Sequence, residues 1–359
     1  MVNKMKKELK KDILTITILF LISRIFLLFF LVYKHNFSFF SFYDAEHFIS
    51  IAKNGYSSEL LFAFFPLFPL LIRTLHLIIP SYEASSLILS NSFSFLSIII
   101  LYYLVKDNTR KNTIIFAFIF SPILVFNMIG YTESLYLFLT LLSFYLYKKK
   151  TYLFCGIALG LSMLTRNTGI VLLGAIGIHM LYKIYKKEIK IKDLLLLSIP
   201  AFSIGFLYSI YLLIYTNDFF KYITVQYTEW GRDKSNLFII IIRDIKFLIS
   251  NFNNSYLLIF LENWIFFFLG LFVALKNLKK EFVLSLYLLI SLLLISTTCR
   301  VETWITLSSI SFFRYVFGLF PIYLLPFVDE CKYSKLLVYL YIPISILNTL
   351  FVFSGAFIA

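Results

Sequence analysis

Long apolar runs, separated by short polar segments, make up most of the chain. A run of about 20 apolar residues is long enough for a helix to cross the hydrocarbon core of a bilayer. We therefore predict an all-α polytopic membrane protein that forms one domain over residues 1–359, with no separate soluble domain. About eleven membrane-spanning helices are predicted, over residues 13–33, 84–105, 112–129, 132–147, 151–165, 168–182, 194–215, 256–275, 281–298, 314–330 and 335–355.

Two longer segments between these runs are predicted to be outer loops, at residues 34–83 and 216–255. The first contains an apolar stretch at 60–80, which we predict to be a juxtamembrane helix on the outer face rather than a span. Pro66 and Pro69 lie near its start, and Arg73 and His76 would be costly at bilayer depth. Crossing the membrane there would also place the later basic loops outside.

Composition supports the membrane assignment and sets the orientation. The chain is 60% apolar and only 14% charged, whereas soluble domains are about 45–50% apolar and about 25% charged. The net charge of +14 lies in short loops between apolar runs, which argues against nucleic-acid binding. Most basic residues fall in the loops on the side of the N-terminus, so we predict a cytoplasmic N-terminus. We expect the first apolar run to remain as a membrane helix, because five lysines precede it and no small-residue cleavage site follows.

The first outer loop contains a cluster of charge that is unusual for this chain. Asp44, Glu46 and His47 lie within four residues, in a segment whose apolar positions predict a short amphipathic helix ending near Gly55. A carboxylate at the start of a helix is favoured by the helix dipole. One interpretation is therefore an interfacial helix with a capping Asp44 and solvated polar neighbours. The other is an active site at the membrane surface.

Arg73 and His76 on the second helix of this loop share a face, because they are three residues apart. They are placed to meet a lipid phosphate at the interface. The alternative is that both side chains extend to the lipid headgroups without a role in chemistry.

Five sequence blocks, in order, resemble the PIG-V-like (GPI mannosyltransferase 2-like) mannosyltransferases, which belong to the GT-C class of polytopic glycosyltransferases. In this chain the blocks read FYDAEHFISIAKNGY (42–56), AFFPLFPLLIR (63–73), SPILVFNMIGYTESLYLFL (121–139), LTRNTGIVLL (164–173) and FFRYVFGLFP (312–321). The block at 63–73 is the most specific. Tyr43 replaces the usual Trp before the Asp, and Phe48 stands where Tyr is common.

The resemblance implies an inverting transferase that uses a polyprenyl-phosphate sugar donor, with dolichyl-phosphate mannose favoured, and a lipid-linked or glycan acceptor. It places Asp44 as the general base for the acceptor hydroxyl. The departing lipid phosphate needs cationic partners. Expected substrate-binding residues are Glu46, His47, Arg73, His76, Glu133, Arg166, Asn167, Arg314 and Tyr315. For Glu133, Arg166 and Arg314 the alternative is an ion pair that joins two helix ends.

Other functions receive less support from the sequence. No nucleotide-binding motif occurs. Asp44 and Glu46 resemble a metal-binding pair, but two carboxylates are weak evidence for a metal, so a divalent metal stays open and the absence of a cofactor is favoured. A transporter or flippase for a lipid-linked sugar would place charges within the spans, which here are largely free of them. A non-catalytic subunit of a glycosylation complex, and an accessory subunit, stay open. The protein is expected in the plasma membrane of a prokaryote, or in the endoplasmic reticulum membrane of a eukaryote.

Overall fold

A computed structural model describes residues 2–25, 27–29, 43–300, 307–328 and 334–353. The described chain is almost entirely helical, as the apolar pattern predicts. In chain order the elements are α1 (Val2–Ser23), α2 (Asp44–Asn54), α3 (Leu67–His76), α4 (Tyr82–Val105), α5 (Lys111–Ile119), α6 (Glu133–Lys148), α7 (Tyr152–Met163), α8 (Gly169–Tyr185), α9 (Ile191–Gly205), α10 (Leu207–Thr216), α11 (Lys221–Thr228), β1 (Arg232–Lys234), α12 (Leu237–Ser250), α13 (Asn254–Asn277), α14 (Phe282–Ile295), β2 (Thr298–Arg300), α15 (Phe312–Phe317), α16 (Pro321–Leu324) and α17 (Ser334–Phe353).

Three stretches of the described chain are long and apolar enough to cross a membrane: Tyr82–Val105, Ile191–Thr216 (α9 continued by α10) and Asn254–Asn277. They coincide with three predicted spans, at 84–105, 194–215 and 256–275. Shorter apolar helices lie at several other predicted spans, and the total of eleven stays a prediction. Residues 26, 30–33, 329–330 and 354–355 of the predicted spans, and 34–42 of the first outer loop, lie outside the described residues.

Two predicted spans are interrupted at a proline. The segment 112–129 is helical only to Ile119, because Pro122 cannot donate its backbone nitrogen and restricts the residue before it. The segment 314–330 is divided in the same way at Pro321, which begins α16 after α15 has ended at Phe317. Both predictions followed the apolar composition alone, which does not report the backbone effect of proline.

The stretch 60–80 contains no helix long enough to span. A 3₁₀ turn at Glu59–Ala63 is followed by α3, whose ten residues extend over about 15 Å, half of the bilayer core. Helix α3 packs against α2 and α4. As predicted, Gly55 ends α2, where it adopts a positive φ of 73° and donates its N–H to the Ile51 carbonyl.

Helix α6 runs between two groups of charged residues, which lie at opposite ends of the helix. Glu133 begins and Lys148 ends this 16-residue helix, which places them about 22 Å apart along its axis. At the lysine end, Tyr147 and His179 share a 3.0 Å hydrogen bond, and the Lys183 ammonium lies over the Tyr147 ring. The Glu133 end carries the charges described below.

A two-stranded antiparallel ribbon, β1 with β2, is the one pairing of strands among the described residues. It pairs Arg232 with Arg300 and Lys234 with Thr298. The all-helical prediction did not include it. Its consequence is that the second outer loop is held against the end of α14, beside the cavity.

Candidate active site

A cavity of about 610 Å³ lies at the Glu133 end of the bundle. Its walls come from α2, the loop between α7 and α8, the ribbon, the end of α14 and the start of α15. Five of the residues predicted from the sequence line it: Asp44, Arg166, Asn167, Arg314 and Tyr315. Residues far apart in the sequence therefore meet at one concave surface.

Asp44 is the first residue of α2, and its side chain is 26% exposed. Its Oδ2 accepts a hydrogen bond of 2.7 Å from Nη2 of Arg314, which is 270 residues later in the chain. The neighbouring Ala45 is buried against Gly130, where an added Cβ would lie 3.7 Å from the Ala45 Cβ and 2.5 Å from the Ser86 hydroxyl. The absence of a side chain at 130 thus allows the segment before α6 to pack closely on Ser86 of α4, with Ala45 of α2 in ordinary contact beside it.

Arg314 joins Asp44 to a second carboxylate. Its Nε lies 3.0 Å from Oε1 of Glu133, which is an ion-pair distance without hydrogen-bond geometry. The same Oε1 accepts a 2.7 Å hydrogen bond from Nη1 of Arg166. The four side chains form one network, in the order Asp44, Arg314, Glu133, Arg166. Glu133 is 1% exposed and Arg314 is 7% exposed, so solvent screens their interaction little.

This network realises the ion pairing that the sequence offered as the alternative for Glu133 and Arg166. Pairing does not exclude chemistry, because Asp44, Arg166 and Arg314 all reach the cavity while Glu133 lies behind them. A buried charge that loses its partner is strongly destabilising. The network therefore fixes the orientation of two guanidinium groups and one carboxylate at the same wall.

Tyr315 stands between the arginines. The guanidinium carbons of Arg314 and Arg166 lie 5.4 and 5.5 Å from its ring centroid. Its hydroxyl accepts a 3.2 Å hydrogen bond from Nη2 of Arg232, at the start of β1. Sequence reasoning missed Arg232, since an arginine in a long loop carries no signal of its own. Only the ribbon brings it to the cavity.

The charges around this wall do not cancel. Among the described residues of this network and its neighbour, Arg166, Arg232 and Arg314 oppose Asp44 and Glu133, which leaves one positive charge in excess. Within the described chain, Arg232 has no ion pair with a carboxylate and donates only to a neutral hydroxyl. A cleft with an excess of one sign attracts ligands of the other sign. This wall is suited to an anion with several oxygen acceptors, such as a phosphate.

His47 and Glu46 follow Asp44 on α2 but do not line the cavity. The His47 ring packs 4.9 Å from that of Phe64 and 5.4 Å from that of Trp230, two aromatic residues that do. Burial lowers the pKa of His47, against the opposing effect of Asp44 and Glu46. Glu46 is exposed. The predicted cluster of three is thus divided among the cavity, an aromatic wall and the surface.

Arg73 and His76 lie outside the cavity, although α3 packs against α2 as the second arm of the loop. Arg73 is exposed, beside Leu70 and Leu77, which are 56% and 83% exposed. His76 stacks on Tyr82 with ring centroids 3.6 Å apart. The structure therefore does not bring these two side chains together with Asp44.

The packing around Gly169 explains why the block LTRNTG ends in a glycine. A Cβ at this position would lie 2.7 Å from the backbone nitrogen of Met163 and from the Ser162 hydroxyl. The absence of a side chain lets α8 begin directly against the end of α7. The tight loop between them carries Arg166 and Asn167 to the cavity. In the described part of the chain no group of three His, Cys, Asp or Glu side chains has a geometry for a metal ion.

Comparison with known proteins gives one match. A family model described as mannosyltransferase (PIG-V) matches residues 28–236, more than half of the chain. The matched range includes Asp44, Glu133, Arg166 and Arg232, while Arg314 lies beyond it. No curated protein and no solved structure matches the chain.

Proposed function

Because the chain belongs to the PIG-V family of mannosyltransferases, we propose that its cavity transfers mannose from a polyprenyl-phosphate donor to an acceptor hydroxyl. Family membership establishes a membrane glycosyltransferase of mannose. The donor, the acceptor class and the role of each residue are our proposal. The excess positive charge at the cavity wall is the observation that carries it, because a lipid phosphate is the leaving group that such a wall would stabilise.

The donor phosphate is assigned to the space bounded by Arg166, Arg232 and the Tyr315 hydroxyl. Arg166 has one guanidinium nitrogen on Glu133 and no second carboxylate partner among the described residues, so its other nitrogens are assigned to phosphate oxygens. Among the described residues, the Arg232 guanidinium has only a neutral hydrogen-bond partner, the Tyr315 hydroxyl. Two arginines and one hydroxyl supply the charge-assisted hydrogen bonds that a departing phosphate monoester needs.

The donor's lipid tail requires an apolar route out of the cavity. Three apolar lining residues are at least 40% exposed: Ile170 at the start of α8 (42%), Leu294 at the end of α14 (46%) and Ile223 on α11 (40%). Helices α8 and α14 pack against each other. A polyprenyl chain leaving past Ile170 and Leu294 would pass from the cationic wall into the bilayer.

Asp44 is proposed as the general base. In this step its carboxylate takes the proton of the acceptor hydroxyl while that oxygen attacks the anomeric carbon. The bond between the anomeric carbon and the phosphate oxygen breaks, and its electron pair leaves with the lipid phosphate. Attack from the side opposite to the leaving group inverts the anomeric centre. Positive charge developing on the sugar ring is stabilised by the nearby carboxylate.

Arg314 and Glu133 support this chemistry from behind. Arg314 holds Oδ2 of Asp44 through Nη2, which leaves the second carboxylate oxygen to meet the hydroxyl. Glu133 fixes Arg314 and Arg166 through one oxygen, so that the base and the phosphate subsite are built on a common support. The Asn167 amide, which is exposed at the cavity, is assigned to the sugar hydroxyls.

We further propose a GT-C architecture with about eleven spans, the site at the outer or lumenal face, and a cytoplasmic N-terminus. The acceptor is a lipid-linked or glycan hydroxyl. A flippase is less well supported, because the charged network lies at one end of α6 rather than midway along it. A non-catalytic subunit is less well supported, because the network reaches an open cavity.

The direct test uses purified protein in lipid nanodiscs with radiolabelled dolichyl-phosphate mannose and a membrane lipid extract as acceptor. Label should move to a product that is stable to mild acid, under conditions that release mannose from the donor. GDP-mannose at the same specific activity should give no product. Transfer from GDP-mannose alone would overturn the donor assignment, and flipping of the lipid donor without product would overturn the transferase.

A further inference from the structure

The segment 307–313 carries one wall of the cavity. It consists of a turn followed by the first residues of α15, and Ser308, Ser311, Phe312 and Arg314 line the cavity from it or directly after it. Ser311 lies in the left-handed region with φ of 78°, a conformation that a serine adopts only when its surroundings impose it. The position of Arg314 therefore depends on what holds this turn.

Asp244 on α12 holds the start of the turn. Its side chain is completely buried. Oδ1 accepts backbone hydrogen bonds from Ser308 at 2.6 Å and from Ser309 at 3.2 Å, while Oδ2 accepts from the Trp264 indole at 3.0 Å. No cation pairs with it among the described residues, and the guanidinium of the adjacent Arg243 donates to the Cys299 sulfur instead. A buried carboxylate is costly, and this one is satisfied by these three N–H groups and the Ser309 hydroxyl.

Asn263 on α13 holds the end of the same turn. It is also completely buried, and its Oδ1 accepts a 2.9 Å hydrogen bond from the backbone N–H of Phe313. Phe313 directly precedes Arg314. Two side chains from two helices thus bind the backbone at both ends of the turn, and neither side chain lines the cavity.

We propose that Asp244 is a positioning residue of the transferase, which fixes the 307–313 turn so that Arg314 can contact Asp44 and Glu133 at once. Asn263 is the second anchor. Asp244 acts on the reaction only through Arg314 and Tyr315. The kinetic consequences rest on the proposed function, whereas the backbone consequences do not.

Asp244→Asn is the informative variant, since it keeps the shape of the side chain. An amide has one acceptor oxygen and one NH₂ donor. The NH₂ group must therefore face either the Ser308 and Ser309 N–H groups or the Trp264 indole N–H. We expect kcat to fall by about 10- to 100-fold, because misplacement of a supporting group by about 1 Å is enough for such a loss. The KM for the donor should change less than kcat does, since Arg166 and Arg232 stay in place and only the Tyr315 hydroxyl of the phosphate subsite follows the turn.

Two measurements separate positioning from a general loss of stability. In hydrogen exchange, the amides of Ser308 and Ser309 should exchange faster in Asp244→Asn, while those of α6 and α8 keep wild-type rates. In an Arg314→Lys background, which removes the forked guanidinium, Asp244→Asn should cause little further loss of kcat. Asn263→Ala provides the same test from the other anchor if Asp244→Asn does not fold.

Asn277→Ala is the matched control. Asn277 is a buried residue on the same helix as Asn263, and it donates to the Val273 and Leu325 carbonyls, away from the turn. Its loss should lower thermal stability without changing exchange at Ser308 or kcat. Wild-type exchange at Ser308 and Ser309 in Asp244→Asn would overturn the proposal, as would an undiminished effect in the Arg314→Lys background. If the wild type transfers no mannose, the proposed function fails, and the exchange result alone decides the role of Asp244.

Discussion

The two short helices of the first outer loop, α2 and α3, look similar in sequence but face different surroundings. Both are amphipathic and both carry charged residues at helical spacing. Their apolar faces pack together, with Phe48 and Phe68 in edge-to-face contact at 5.6 Å. Asp44 on α2 reaches the cavity and its arginine, whereas Arg73 on α3 points away, among exposed leucines. Helical spacing in the sequence therefore does not show which charged residue is functional. That depends on which residues the side chain faces in the folded protein.

The largest effect on stability and transfer is expected from the loss of Arg314, the cation that pairs with Asp44 of α2. Arg314→Ala would leave Asp44 and the buried Glu133 without their shared cation, which costs about 3–5 kcal/mol of folding free energy. Transfer should fall by about a thousandfold, since the base loses its support. Thermal unfolding and the mannose transfer assay measure the two losses. Arg73→Ala, on the other helix, should change stability by less than about 0.5 kcal/mol, and an equal loss in both variants would contradict the comparison.

Glu133→Gln should have the next largest effect. It removes the charge that pairs with both Arg166 and Arg314, at a site only 1% exposed, and about 3 kcal/mol should be lost. The control is Lys53→Met, which breaks the pair between Lys53 and Glu83. Those side chains are 40% and 22% exposed, so its loss should stay below about 1 kcal/mol. Denaturant or thermal unfolding of both variants would reveal whether burial makes the difference.

Arg232→Ala tests the phosphate subsite. Since the Arg232 side chain hydrogen-bonds only the Tyr315 hydroxyl among the described residues, and alanine keeps the backbone of the ribbon, its loss should leave folding almost unchanged. The KM for the polyprenyl-phosphate donor should rise about tenfold, as for the loss of one charge-assisted hydrogen bond. The KM for the acceptor should stay constant. A rise in the acceptor KM alone would instead place Arg232 on the acceptor side.

The smallest effect concerns His47 on α2. Burial lowers its pKa from 6.5 in the folded state, so protonation favours the unfolded chain. The contribution of neutral His47 is complete above pH 6.5 and is lost as the pH falls through that value towards the lowered folded pKa. His47→Gln should therefore reduce the drop in thermal stability between pH 8 and pH 5.5. An unchanged drop would mean that other groups account for the acid sensitivity.

The sequence predicts a membrane protein and most of its helices. It also predicts that Asp44, Glu133, Arg166 and Arg314 lie on the same side of the molecule. It does so because apolar runs and flanking charges are local signals. It does not predict that Arg232 and Asp244 belong with them. These two lie 83 residues from Tyr315 and 64 from Ser308, and only the ribbon and the packing of α12 bring them close.

The position of Arg73 and His76 outside the cavity has a related physical reason. Helix periodicity places both on one face of α3, and the resemblance to the PIG-V-like proteins favoured a role for them. Which neighbour that face meets depends on how α3 packs against α2 and α4. The two spans interrupted at Pro122 and Pro321 were mispredicted for a similar reason. Hydropathy contains no information on the backbone N–H group that proline lacks.

The central claim is that Asp44 is the base of a mannosyl transfer and that α3 has no part in the chemistry. It is tested most directly by transfer from radiolabelled dolichyl-phosphate mannose, with Asp44→Asn and Arg73→Gln compared at equal amounts of folded protein. The account predicts a loss of at least about a thousandfold in Asp44→Asn and near wild-type transfer in Arg73→Gln. Wild-type transfer by Asp44→Asn, or its loss in Arg73→Gln, would contradict it.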